Sequence, residues 1–337
     1  MIAHLPFISI DVHARPAIVK LVLASLALLL AITALRFGTY PLSTDTILRH
    51  LFIGGDGIER VIVIEHRLPR ILVAVGAGMA VGLAGALFQT MLRNPLASPD
   101  WIGFTPGASF GALLAMYLTG GHIILGALAG TFVAATIVLG HSMQGGLNIQ
   151  RLIIIGIGAN LTIAAGADLL LARVDLLTAA DMAKWLVGSL NGRDWTDVAL
   201  IWVGLAVLLP LALWLEFPLR TMMLTDDVAR GQGIAVSATR IWVAITGVLL
   251  VALGVCVAGP LPFVAFLCGP IAKALEGGSR PALFSAALIG AIVVLAADYI
   301  ARLTPLVQLP AGVFTALIGG PYLLWLLVTM ARKGRIT

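Results

Sequence analysis

Gly107-Ala108-Ser109-Phe110-Gly111 matches G-x-S-x-G, the pattern that presents a serine nucleophile in hydrolases. That chemistry needs a strand-to-helix elbow, a histidine base and an acid. Here the motif opens an apolar stretch rich in Gly and Ala, and nothing in the sequence brings His122 or His141 to Ser109. Helix packing is the favoured reading, and loss of activity in Ser109→Ala is what a membrane hydrolase would show. No His-x-x-x-His, Cys-x-x-Cys or carboxylate cluster has the spacing of a metal site. The four lysines, Lys20, Lys184, Lys273 and Lys333, follow Val, Ala, Ala and Arg. None follows a glycine, as a phosphate-binding loop requires, so ATP would have to be handled by another chain. Cys256 and Cys268 both lie inside apolar runs and read as packing residues.

Ionisable residues within apolar runs are functional candidates, because charge is expensive in hydrocarbon. Asp298 and Arg302 are four apart and can pair on one helix face. Asp168 lies near the outer end of a run, with Arg173 beyond it, and Asn160 is mid-run. For each, a cap or interhelical hydrogen bond stands as an alternative to a transport role. A proton-coupled carrier would show several acids at mid-depth, and this chain does not.

The elements that must position these residues are membrane helices. Of 337 residues, 60% are hydrophobic and 11% charged, and mean hydropathy is +1.05. A soluble domain carries roughly a quarter charged residues. Apolar runs of helix-spanning length recur at about 17–37, 68–92, 101–119, 122–141, 151–172, 197–216, 239–258, 262–275, 281–302 and 310–330. The first reads as a retained span rather than a signal peptide. The eighth is short and broken by Pro262, Gly269 and Pro270, which leaves open whether it crosses fully. The fold class is therefore all-α integral membrane, with about ten helices in a single domain over 1–337.

Ten spans put both termini on one side. Placing that side in the cytoplasm gives 12 Lys and Arg inside against 9 outside, the sign of the positive-inside rule. The tail from Arg332 through Lys333 to Arg335 supports it. Scattered single cations of this kind set topology and do not suggest nucleic acid. Small-residue spacings such as Gly126 and Gly130, and the cluster Gly76, Gly78, Gly82 and Gly85, predict closely packed helices. The polar segments are 38–66, 173–196 and 217–240, the last of them cytoplasmic.

Several passages together resemble one family. They are Arg67-Leu68-Pro69-Arg70, Gln89, Arg93-Asn94-Pro95-Leu96-Ala97-Ser98-Pro99-Asp100 and Gly103. Further on come Arg151 to Gly158, Gly188-Ser189-Leu190-Asn191-Gly192, Ala258-Gly259-Pro260, Ala297-Asp298 with Ala301-Arg302, Leu309-Pro310-Ala311-Gly312-Val313 and Gly319-Gly320-Pro321. From about residue 20 to 330 the chain resembles the FecCD-like permease subunits of bacterial ABC importers for iron–siderophores, haem and vitamin B12. The run at 152–155 and the Ser-Leu-Asn-Gly stretch are most like the branch serving ferric enterobactin, whose two permeases are related but non-identical.

The resemblance implies the vitamin B12-importer-like permease fold in the inner membrane, multi-pass, with both termini cytoplasmic. It implies a second permease subunit, two copies of a cytoplasmic ATPase, a periplasmic binding protein and a path along the dimer axis. It implies no cofactor on this chain, with ATP and Mg on the partner ATPase, and no catalysis here. The expected cargo is a ferric siderophore of the catecholate, enterobactin-like type; a secondary transporter or channel is the alternative. By motif, Arg67, Arg70 and Arg302 match outer arginines that meet carboxylates on the binding protein, with interfacial anchoring as the alternative for the first two. Asn94, Pro95 and Leu96 match an inner gate. Asp226, Asp227, Ala229, Arg230 and Gly233, in the loop at about 220–238, match the coupling helix that enters a groove on the ATPase. Asn160 and Asp168 are the candidates for the path. Two departures stand out. Gln232 replaces a usual Leu, and Cys268-Gly269-Pro270-Ile271-Ala272-Lys273 replaces a stretch that normally holds a polar His or Gln.

Overall fold

A computed structural model describes residues 14–38, 40–54, 56–143, 147–278, 280–304 and 309–332. Among them are fourteen α-helices and no strand. In order these are α1 (Ala14–Arg36), α2 (Thr44–Phe52), α3 (Ile58–Arg60), α4 (Leu68–Met91), α5 (Phe104–Thr119), α6 (Ile123–Ser142) and α7 (Ile149–Leu171). Then come α8 (Leu176–Leu186), α9 (Trp195–Met222), α10 (Asp226–Gly231), α11 (Val236–Ala258), α12 (Val264–Glu276), α13 (Leu283–Leu303) and α14 (Ala311–Arg332). Each of the ten expected spans has its helix. The tail residues Lys333 to Arg335 lie outside the described residues.

Eight helical stretches are long and apolar enough to cross a bilayer. The remaining two spans, α5 and α12, have 16 and 13 residues. At 1.5 Å per residue they reach only ~24 and ~20 Å, short of the ~30 Å of hydrocarbon. Each is preceded by a non-helical stretch. Before α12 this is Gly259-Pro260-Leu261-Pro262-Phe263, largely buried in protein, where irregular backbone is tolerated at membrane depth.

Two of the polar segments contain helices. The segment 38–66 is largely helical: α2 is capped by Ser43, and a π-helical segment, Val61–Arg67, joins α3 to α4 as one 34-residue stretch. Within 173–196, α8 forms where the Asp175 carboxylate accepts from the amides of Leu177 and Thr178.

The core is built around α4, nearly all of it buried, with α9, α11, α12 and α13 packed about it. Its glycines set the spacing. A Cβ on Gly78 would lie 2.3 Å from the Gly290 carbonyl oxygen, and one on Gly85 would lie 1.8 Å from that of Ala265. α5 and α6 meet the same way, through Gly107 and Gly111 against Gly126 and Gly130. The two glycines of the G-x-S-x-G motif are therefore packing residues. Ser109 turns its hydroxyl to the Thr105 carbonyl of its own helix, 2.9 Å away.

Three of the motifs that carried the resemblance converge on one backbone junction. The Ser189 amide donates to the Ala258 carbonyl at 2.9 Å, and the Gly312 amide donates to that of Gly188 at 3.1 Å. Gly188 has φ +77, and a Cβ there would sit 2.0 Å from the Pro260 oxygen. Only glycine fits that conformation and approach.

Candidate functional site

The candidate residues fall at three levels: one end of the bundle, its middle, and the other end. The first is the outer end in the topology given above.

At the outer end a cavity of about 540 Å³ is lined by His66, Arg67, Arg70, Asn191, Arg193 and Arg302, among others. Arg67 ends the π-helical segment, is 8% exposed, and turns inward. Its guanidinium donates to the carbonyls of Leu35 (2.7 Å), Arg36 (3.4 Å) and Tyr40. The first two belong to the last turn of α1, where carbonyls lack intrahelical partners and suit a cation; that of Arg36 also accepts from the Leu42 amide at 3.1 Å. Arg70, the third residue of α4, grips Asp298 of α13, with Nη2 to Oδ1 at 2.7 Å and Nε to both oxygens at 3.0 and 3.1 Å. Arg302 approaches the same carboxylate, Nε to Oδ2 at 3.2 Å, and donates from Nη1 to the Ala34 carbonyl. The expected Asp298–Arg302 pair is thus present, with Arg70 as a third member. Asp298 is 0% exposed, so its charge is sustained by two guanidiniums. Arg193, which nothing in the sequence singled out, takes a place on the wall 3.7 Å from Asp197. Four arginines against two carboxylates leave this cavity with excess positive charge.

At mid-height, a cavity of about 390 Å³ is bounded by Ser98, Asp100, Trp101, Ser109, Asp168 and Phe263, among others. The turn before α5 enters the bundle here. Asp100 accepts from Ser98 Oγ at 3.0 Å and Thr105 Oγ1 at 2.6 Å. Gly103, with φ +89, lies against the backbone of Gly156 and Asn160 on α7. Asp168 lines the cavity; Asn160 is half-buried beside the Gly103 turn and not on its wall. α7 also exposes Gly158, Thr162, Ala165 and Asp168, interleaved on the same face with Ile154, Leu161 and Leu169.

At the inner end, the Asn94-Pro95-Leu96 turn is closed by Asn94 Oδ1, which accepts from the Leu96 amide at 2.9 Å. Arg93, just before it, reaches 133 residues along the chain to Asp226, the first residue of α10, with Nη2 to Oδ1 at 2.5 Å. Arg240 of α11 holds both oxygens of that carboxylate at 3.0 and 2.8 Å. Partial burial works against the Asp226 charge. Arg240 and Arg93 outweigh it and hold the carboxyl below its ordinary range.

The structure corrects the expectation for Ala229. It is 0% exposed and packs with Met222, Ile234 and Val236, so it supports α10 from beneath. The outward surface of this segment is made by Asp227, Val228, Arg230, Gln232 and Gly233. A helix of less than two turns is too short for apolar spacing to show which face turns inward.

Comparison with known proteins now decides the family. The FecCD transport family model matches residues 26–329. The chain belongs to the FecCD transport family. It is 37% identical to the ferric enterobactin transport system permease protein FepG of Escherichia coli, over 96% of this chain and 99% of that one. It is 34% identical to the Fe(3+)-citrate import system permease protein YfmE of Bacillus subtilis, over 95% and 97%. Among solved structures it matches an ABC transporter of the metal-chelate type in an inward-facing conformation, with TM-score 0.84, 27% identity and coverage of 93% and 99%. Members of the FecCD family are transport permease subunits, which are not catalytic.

Proposed function

We propose that this chain is one permease of an ATP-driven importer that moves a ferric siderophore, a catecholate of the enterobactin type, from periplasm to cytoplasm. The observation that carries the reading is the outer cavity with its surplus of arginine over carboxylate. A ferric tris-catecholate is an anion, and a binding protein that presents carboxylates is acidic where it docks; excess positive charge steers both. The name of the FepG relative supports the catecholate, and that of YfmE keeps the reading within ferric chelates.

The exposed face of α7, apolar with small residues among its Ile and Leu, is the proposed contact with a second permease, with Asp168 at the mid-height cavity on the path between them. A related, non-identical subunit is the proposed partner. The outward residues of α10 and the turn after it form the proposed seat for a cytoplasmic ATPase, which supplies ATP and Mg. Both termini are placed in the cytoplasm. All three matched arginines border the cavity with Arg193, and Arg67 and Arg302 also hold the end of α1. Docking is assigned to Arg67, Arg70, Arg302 and Arg193 together.

The test is co-expression with neighbouring ATPase and permease genes, purification, and ATP hydrolysis with and without binding protein and ferric enterobactin. Hydrolysis that changes with the loaded binding protein supports the importer. A chain that purifies alone and moves ferric enterobactin down an ion gradient in liposomes overturns it, and makes Asp100 and Asp168 the residues to pursue.

A further inference from the structure

Arg93 has φ +50, a left-handed conformation disfavoured for any residue with a Cβ. Glycine would occupy the position without strain. An arginine there is explained by what its side chain holds. Nε donates to the carbonyl of Met222, the last residue of α9, at 2.7 Å, and Nη2 to Asp226, the first residue of α10. One guanidinium thus fastens both sides of the short link Met223–Thr225. Asp226 is fixed from behind by Arg240, whose side chain is 11% exposed. Arg93 is joined directly to Asn94, and Asn94 closes the inner turn through its bond to Leu96.

The link has room to act. A cavity of about 260 Å³ lies behind the turn, bounded by Gln89, Thr90, Pro95, Met223, Pro270 and Lys273. A displaced turn has empty space to enter, where a close-packed neighbour would resist it.

We infer that the Arg93–Asp226 ion pair is the mechanical coupling between the ATPase seat on α10 and the inner turn at Asn94–Leu96, so that both are positioning residues that make the turn follow α10. This rests on the proposed importer reading and adds the route by which nucleotide state reaches the turn. A displacement of α10 moves Asp226, Asp226 pulls Arg93, and the turn moves with Arg93. Without the pair, the ATPase still seats on Asp227, Val228, Arg230 and Gln232, but its movement is not passed on.

The test uses the whole complex in its membrane and needs no knowledge of the cargo. A single thiol is placed by Leu96→Cys; Cys256 and Cys268 are 1% and 0% exposed and stay silent. Labelling by a membrane-impermeant maleimide is followed in inside-out vesicles, with and without ATP and vanadate. With Arg93 and Asp226 intact, trapping changes the labelling rate by about fivefold or more, the range of ordinary allosteric coupling. In Arg93→Gln, which leaves α10 itself unaltered, trapped nucleotide is expected at the parent level while the labelling change disappears; Asp226→Asn is expected to lose the labelling change as well. The double variant is expected to be no worse than Asp226→Asn. An unaltered labelling response in the single variants overturns the inference. So does loss of nucleotide trapping in Arg93→Gln, which would make the pair a support for ATPase seating. Failure of the parent complex to assemble with an ATPase would instead overturn the proposed function.

Discussion

Gln89 of α4 donates from Nε2 to the carbonyl of Phe266 on α12, 3.0 Å away, four residues before Pro270. Proline has no amide hydrogen, so the Phe266 carbonyl loses its ordinary i+4 partner inside the membrane. Gln89 replaces it from the neighbouring helix. The fit is close: a Cβ on Gly269 would lie 1.9 Å from Gln89 Oε1. The departure at Cys268–Lys273 is therefore a helix that carries an internal proline, with its orphaned carbonyl supplied from α4. Gln89→Leu is expected to lower stability by about 1–3 kcal/mol, the cost of an unsatisfied buried acceptor. Pro270→Ala restores the backbone donor and should recover part of that loss in the double variant. Thermal unfolding of the detergent-purified chain measures both.

The packing of α4 gives a sharper contrast. Gly85→Ala would drive a methyl group into the Ala265 carbonyl, backbone against backbone, with no side chain able to yield. A loss of about 3 kcal/mol or more is expected, at the upper end of overpacking costs. Gly158→Ala on the exposed stripe of α7 meets nothing within 4 Å and should be neutral or slightly stabilising. Yield of folded protein and thermal midpoint compare the two.

These two cases show what the sequence makes legible. The ten spans were readable because a bilayer demands a fixed length of apolar helix, and the glycine spacings announced close packing. What the glycines touch was not readable. Gly107 and Gly111 meet Gly126 and Gly130, and Gly188 meets Pro260, through approaches that depend on three-dimensional packing. Asp298–Arg302 was legible because it is local on one helix. Arg93–Asp226 was not, since opposite charges 133 residues apart give no signal without the fold. Arg67 matched an outer motif, but whether its guanidinium points out or in is decided by the end of α1. α8 and the π-helical segment are mixed in polarity and lie in stretches legible only as polar segments.

The buried triad Arg70–Asp298–Arg302 predicts an asymmetry. Asp298→Asn leaves two guanidiniums facing each other without a counter-charge, and should cost about 3–5 kcal/mol, the range for breaking a buried pair. Arg302→Gln leaves Arg70 to neutralise Asp298 and should cost clearly less. Thermal midpoints of the two variants, in the same detergent, give the order; equal midpoints would mean that Asp298 is not the centre of the triad.

Arg193 predicts a kinetic effect. It borders the outer cavity and is only loosely paired with Asp197 at 3.7 Å. Charges at the edge of an interface change association rate more than dissociation rate. Arg193→Gln is expected to slow association of the binding protein several-fold at low ionic strength, with little change in its release. The difference should shrink at ~1 M salt, where the Debye length falls to ~3 Å. Surface plasmon resonance on the reconstituted complex reads both rates, and a salt-independent change would assign Arg193 to folding.

The inner junction predicts a pH response with a definite sign. The Asp226 carboxyl is held below its ordinary value of 3.8, burial opposing and Arg240 and Arg93 prevailing. A group whose folded pKa is depressed contributes stability above its unfolded pKa and loses it as pH falls through the folded value. The Arg93–Asp226–Arg240 junction should therefore be unchanged between pH 7 and 5, and should release only below the ordinary aspartate range. Maleimide is a poor probe at such pH, so hydrogen exchange of the 222–233 segment, read by mass spectrometry, is the measurement. After correction for intrinsic rates, protection should be flat from pH 7 to 5 and fall at more acidic pH. In Arg93→Gln, Asp226 keeps only Arg240, so the fall should begin at higher pH. A loss of protection already between pH 7 and 5 in the parent chain would show that the two arginines do not hold the carboxylate, and that the segment is fixed by the Met222–Ala229–Val236 packing alone.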